Sequence, residues 1–224
     1  MIRSVMEPPS SQTEAEMYRR EAMGAFAHEV RTPLTSIKMV MELARRQSTP
    51  GGLVLDHELM EMLETSVEDL QQLADDLQET SRLERKKLNL SLGPCELSVA
   101  VDAARELLGP LELSGIPEPN LEGPWDAARL VRSIAGFAQS ANRIGDGSGA
   151  VRFDAVRNGN TVELTFTSGF PSGEPREIAA DAGFAFFRSR QLVIAMGGSV
   201  HCDRADRFAT FRVVLPLSPG GEGR

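Results

Sequence analysis

Apolar residues recur along the first third of the chain with the spacing of a coiled-coil seam. From about Thr13 to Gln47, the positions Met23, Phe26, Val30, Pro33, Ile37, Val40 and Ala44 follow one another at alternating intervals of three and four. This heptad a/d pattern predicts a long helix with one apolar stripe suited to knobs-into-holes packing. Ser48, Thr49, Pro50, Gly51 and Gly52 break the pattern. Leu63, Val67, Leu70, Ala74 and Leu77 resume it in a second helical run from about Leu53 to Lys87. Together the runs predict an αα-hairpin. A lone hairpin leaves part of two such seams in water, and each fully buried Leu or Val stabilises by roughly 1.5–3 kcal/mol. Two hairpins pairing into a four-helix bundle, a homodimer, is therefore the physical expectation.

Beyond Gly93-Pro94 the periodicity changes. Glu96–Leu108 predicts a helix, and a Pro- and Gly-rich stretch from Gly109 to Pro124 follows, with short strands at Leu111–Leu113 and near Leu121. Asp126–Arg143 is helical. Val151, Phe153 and Ala155 alternate as a strand, Arg157–Asn160 is a turn, and Val162, Leu164 and Phe166 return as its hairpin partner. Phe184–Met196 predicts a helix ended by Gly197-Gly198. Val200–Cys202 and Ala209–Leu215 read as a final strand pair. The expected class is α+β: a disordered lead at 1–12, the helical hairpin at 13–94, a small α/β sandwich at 95–217 and a disordered tail at 218–224.

Composition narrows the function classes. Hydrophobic residues make up 41% and charged residues 25%, the balance of a soluble globular protein. The net charge of −8 repels phosphate backbones, so nucleic acid is not an expected partner. No apolar run approaches the ~20 residues that span a bilayer, and the first residues hold no apolar signal core. A cytoplasmic location without a membrane partner is expected. Cys95 and Cys202 stand alone, without metal-ligand spacing, and read as reduced, partly buried thiols. No metal site is expected. His57 and His201 have no partners in sequence and read as structural or solvated.

The stretch Phe26-Ala-His28-Glu29-Val-Arg31-Thr32-Pro33-Leu34-Thr-Ser-Ile37 carries the most chemistry. With Phe26 and Val30 on the seam, His28 falls at heptad position f, furthest from it. Thr32 lies one turn on along the same face, and Glu29 is adjacent. Pro33 removes a helix hydrogen bond just after the site. A neutral imidazole is a nucleophile near neutral pH. A carboxylate on its other ring nitrogen would accept the proton as the free nitrogen attacks phosphorus. A hydroxyl one turn away could orient a water for hydrolysis of an acyl phosphate.

This stretch resembles the H-box of two-component sensor histidine kinases, and Asp76-Leu77-Gln-Glu-Thr-Ser81-Arg82-Leu83-Glu84 through Leu88 is similar to that family's second helix and exit. The resemblance implies that His28 takes or passes a phosphoryl group and that Glu29 is its acid/base partner. It implies that Thr32 serves dephosphorylation of a response regulator, with Arg31 and Pro33 on the receiver-docking surface. It also implies that an ATP-binding sandwich follows, and the order of elements here is similar.

The nucleotide-binding parts depart from the family pattern. Where the family's helix carries two asparagines, the second binding magnesium, this chain has Gly136 and Ser140; Asn142 lies on another face of the helix. A hydroxyl is a weaker magnesium ligand than an amide carbonyl. Ser168 stands at the adenine-recognising aspartate, and Asp181 lies on the wrong side of Pro171. The lid is reduced to about a dozen residues, Ser172 to Ala182, and the last glycine box reads Gly183-Phe184-Ala185-Phe186 with one glycine replaced. Gly145-Asp146-Gly147-Ser148-Gly149 precedes a strand rather than a helix and reads as a turn.

The leading expectation is a phosphotransferase that exchanges a phosphoryl group between His28 and the aspartate of a response-regulator receiver domain, with phosphatase activity through Thr32 as a companion. Its second domain would serve docking. No cofactor is expected on this chain: magnesium sits on the receiver and ATP is not expected to bind. An upstream histidine kinase is a further possible partner. The alternatives are an ATP-dependent autokinase with a divergent nucleotide site, and a non-catalytic scaffold for a receiver or kinase.

Overall fold

A computed structural model describes residues 11–47, 52, 55–85, 87–145, 149–169, 182–205 and 208–217. The expected disordered lead and tail, most of the interhelical breaker, the centre of the 145–149 turn and nearly all of the shortened lid lie outside the described residues.

Two long helices form the hairpin, α1 (Ser11–Arg46) and α2 (His57–Glu84). The first starts two residues ahead of the expected boundary. The second starts later than the apolar pattern suggested, because Asp56 caps it: the Leu59 N–H donates to Asp56 Oδ1 at 2.9 Å. In α1 the seam is buried where α2 covers it, at Pro33, Val40 and Ala44. Met23 at its head is half exposed. In α2 the buried positions are Leu59, Ser66, Asp76 and Thr80, while Val67 and Ala74, expected on the seam, face outward.

The second unit is α+β in the expected order, with one addition. The short strand β1 (Gly93–Glu96) pairs antiparallel with β3 (Glu122–Trp125) as a separate two-stranded sheet. Between them lie α3 (Leu97–Leu108) and β2 (Glu112–Ser114). Then follow α4 (Ala127–Ile144), β4 (Ala150–Asn158), β5 (Thr161–Gly169), α5 (Phe184–Ala195), β6 (Ser199–Ala205) and β7 (Phe208–Pro216). The main sheet runs β2-β4-β5-β7-β6, with β2 parallel to β4 and every other pair antiparallel.

Alternation of side chains decides which face is covered. Along β5, Val162, Leu164 and Phe166 are buried while Thr161, Glu163, Thr165 and Thr167 are only half covered. The buried face meets α3, α4 and α5. Phe137 of α4 and Phe186 of α5 stack against Phe166 and Phe211 of the sheet, with ring centroids 5.0–6.2 Å apart. Trp125 closes one end of this core, its indole N–H donating to the Pro216 carbonyl at 2.8 Å. Helix α5 has a second role: its outer side lies on the hairpin, where Phe187 meets Tyr18 edge-on at 4.9 Å and Phe184 meets Phe26 at 5.3 Å.

Candidate functional site

His28 is exposed on α1, with Thr32 exposed one turn on, as position f predicts. The helix runs through Pro33. Around it, the Thr35 hydroxyl donates to the Arg31 carbonyl at 2.8 Å and the Ser36 hydroxyl to the Thr32 carbonyl at 3.4 Å. Such back-bonding from a hydroxyl to the preceding turn satisfies carbonyls locally. Arg31 is exposed, whereas Pro33 is buried and lines the cleft beside His28.

A cleft of about 470 Å³ opens over this turn. His28, Glu29 and Thr32 form its floor, Gln72 and Asp76 of α2 one wall, and Gln139, Arg143 and Phe184 of the α/β domain its roof. The structure thus brings His28, Glu29 and Thr32 to one site. It does not bring Glu29 to His28. The Glu29 carboxylate turns to the α/β domain, where Oε1 accepts the Phe184 backbone N–H at 3.0 Å and a hydrogen bond from Arg143 Nη1. The N–H groups at a helix N-terminus and a guanidinium both attract a carboxylate. The His28 ring makes no hydrogen bond or ion pair to any described residue.

The wall beside the site is an ion-pair network between the two units. Asp76, nearly buried, accepts from Arg132 Nη2 at 2.5 Å and from Arg188 Nη1. Glu79 pairs with Arg129 at 3.0 Å and Arg132 at 3.4 Å. Arg129 also holds Asp126, the N-cap of α4. Burial alone would raise the Asp126 carboxyl, but N–H donation from Ser91 and Arg129 and the neighbouring guanidinium hold it below its ordinary value. Arg190 of α5 lies 4.1 Å over the ring of Tyr18 on α1, and burial pushes the Tyr18 phenol well up. Sequence reasoning missed Arg143, Arg132 and Arg188. Arg188 left a weak signal: with Arg190 it sits between the apolar stretches 184–187 and 192–195 of one helix.

The positions that the family uses for nucleotide are built into packing here. At Gly136 a Cβ would lie 2.3 Å from Ser189 Oγ and 3.3 Å from the Ala185 carbonyl, so α4 and α5 touch through this glycine. Ser140 is buried, with its hydroxyl unpartnered. Ser168 Oγ lies 2.0 Å from where a Cβ on Gly145 would stand. Asn142 is used structurally, accepting the Gly149 N–H at 3.0 Å. Among the described residues, this donor set does not fit a magnesium–nucleotide complex held by an asparagine amide and an aspartate carboxylate. A helical Gly→Ala change ordinarily stabilises by about 1 kcal/mol. Gly136→Ala is instead expected to cost about 1–3 kcal/mol by overpacking, read as a lowered urea midpoint, and Ser189→Ala should restore most of it. An unlowered midpoint would show that the two helices can part.

Of the thiols, Cys95 is buried, which raises its pKa, and Cys202 is exposed; both are free. His57 pairs with Glu61 at 3.3 Å on the hairpin surface, and His201 is exposed on β6. Among the described residues, no group of three metal-ligating side chains converges.

A helical hairpin followed by an α/β sandwich of this order is also the fold of solved histidine kinases. Residues 18–86 match the His Kinase A (phospho-acceptor) domain. The chain is 27% identical to the signal transduction histidine-protein kinase BaeS of Escherichia coli over 70% of its length, and 23% identical to the sensor protein VanS of Enterococcus faecium over 92%. These alignments cover 34% of BaeS and 59% of VanS, so the chain spans about a third to three-fifths of these relatives. The histidine kinase AdeS of Acinetobacter baumannii shares the fold, with a TM-score of 0.67, 18% identity, and coverage of 85% of this chain and 98% of that one. The full-length structure of ShkA shares it at a TM-score of 0.58 and 21% identity, covering 89% of this chain and 46% of that one. The chain is a homologue of the two-component sensor histidine kinases, with a phospho-acceptor hairpin and a kinase-like α/β domain.

Proposed function

We propose that this chain is a histidine-kinase-type phosphotransferase whose phospho-acceptor is His28, working on the aspartate of a response-regulator receiver domain. One observation carries the reading: an exposed imidazole stands on the floor of a cleft between the helical hairpin and the kinase-like domain, with Thr32 one turn on and Glu29, the next residue in sequence, lining the same cleft. In this reading His28 attacks phosphorus, Glu29 takes the ring proton, and Thr32 orients the water that clears the receiver. Arg31 lies on the docking surface.

Two sources of the phosphoryl group divide the reading. The relatives are sensor kinases, and they favour an ATP-dependent autokinase with a divergent nucleotide site over a free-standing phosphotransfer protein. The residues at 136, 140 and 168 favour exchange with a charged receiver, which needs no nucleotide on this chain. Half-exposed Met23, Leu34, Met41 and Val67 along the hairpin support a homodimer. Among the described residues no helix is long and apolar enough to cross a membrane; in this reading the receiver partner would be met in the cytoplasm.

The test offers the purified chain magnesium–ATP in a calorimeter and in a labelling reaction, and in parallel offers it receiver domains charged with acetyl phosphate. Acid-labile, alkali-stable phosphate on the chain is expected. Heat of binding with label from ATP establishes the autokinase. Label from a receiver without ATP binding establishes exchange. No label from either source overturns the proposal.

A further inference from the structure

The contact between Glu29 and the kinase-like domain has a consequence for the chemistry of His28. Successive helical side chains point about 100° apart, so Glu29 can serve the ring of His28 only in a rotamer that turns back toward it. Here the carboxylate is turned away and held at two points, by the Phe184 N–H at 3.0 Å and by Arg143. Glu29 is mostly covered, its side chain retaining 20% exposure. Gly183 makes this possible. It sits at φ +83°, and a Cβ there would lie 2.5 Å from Glu29 Oε1 and 2.7 Å from Arg143 Nη1. The domain that carries Arg143 and Phe184 is in turn held on the hairpin by Asp76, through Arg132 and Arg188.

We propose that the Glu29–Arg143–Phe184 contact is an autoinhibitory latch, in which the docked kinase-like domain withholds from His28 the carboxylate that accepts its proton. The inference rests on reading His28 as phospho-acceptor and Glu29 as its base. In the closed state His28 is exposed but lacks its base. Release of Arg143 frees the carboxylate to hold the second ring nitrogen. A partner that docks beside His28 and takes Arg143 onto its own acidic groups would switch the site on.

The test uses the full chain and potassium phosphoramidate, which requires neither ATP nor a receiver. One ring nitrogen of His28 attacks phosphorus and forms a new P–N bond. The bond to the amine nitrogen breaks and ammonia leaves, and the proton on the other ring nitrogen passes to the carboxylate. Labelling is followed by intact mass and mapped to His28. Arg143→Gln is expected to accelerate it about tenfold, within the range that a positioned general base contributes. Gly183→Ala should act in the same direction, since its methyl meets both side-chain ends of the contact and its φ of +83° strains the turn that presents the Phe184 N–H. In a Glu29→Gln background, Arg143→Gln should give no acceleration, an outcome that general loosening of the fold would not produce. Equal or slower labelling of His28 in Arg143→Gln overturns the latch and leaves the phospho-acceptor reading standing. Absence of label on His28 in every variant overturns both.

Discussion

A His28→Gln chain is expected to carry no acid-labile phosphate under any condition that labels the wild type, and to unfold at the same temperature. Both halves follow from the position of the ring. His28 is exposed and makes no hydrogen bond to a described residue, so its removal leaves no orphaned partner, and surface changes of this kind cost within about 0.5 kcal/mol. Glutamine is a good helix former and keeps a polar side chain at position f, but its amide is not a nucleophile. The loss should therefore be complete rather than partial, and thermal unfolding checks that it is chemical rather than structural. The result is discriminating because the other two histidines are exposed as well. His57 has a carboxylate at i+4, and neither has the cleft. Phosphate on the Gln variant would move the acceptor to one of them and remove the basis of the functional reading.

The hairpin was legible because its signal is long and periodic. The strands β4, β5 and β7 were legible because one face of each is buried and the other is polar. The misses have physical causes. β1 is four residues, Gly93-Pro94-Cys95-Glu96, with no alternation of its own. It is a strand only because β3, far along the chain, pairs with it. In α2, Ser66 and Thr80 are buried although the apolar pattern passes over them. Each satisfies its hydroxyl on its own helix, on the Met62 and Asp76 carbonyls at 2.7 and 2.8 Å. A self-satisfied hydroxyl is cheap to bury and invisible to hydrophobic periodicity. The same holds at the site. Exposure of His28 and its proximity to Thr32 follow from heptad arithmetic within one helix. The true partners of Glu29 lie 114 and 155 residues away, and their arrival depends on how α5 docks on the hairpin, which no local pattern encodes.

That docking is where the other large effect is expected: Asp76→Ala should release the kinase-like domain from the hairpin. The Asp76 and Arg188 side chains are each only 8% exposed. Removing one partner of a buried pair leaves an uncompensated charge, at roughly 3–5 kcal/mol, equivalent to about two to four powers of ten in the docking equilibrium. Arg132 keeps Glu79 at 3.4 Å and is one-third exposed, so it loses less. Arg188 keeps only a long bond to the Arg132 carbonyl at 3.4 Å, with its Nε unpartnered. Swinging the domain outward hydrates that guanidinium, so undocking rather than unfolding is the cheaper response. Hydrogen exchange should accelerate at the hairpin side of α5 and along α2 near residue 76, while the sheet stays protected and the radius of gyration rises. Replacing the pair together, Asp76→Leu with Arg188→Leu, should restore docking, since apolar groups of similar volume can substitute for a buried pair. If exchange at α5 is unchanged in Asp76→Ala, the clamp resides instead in Glu79, Arg129 and the Tyr18–Phe187 contact. The buried pair would then be dispensable for holding the latch over His28.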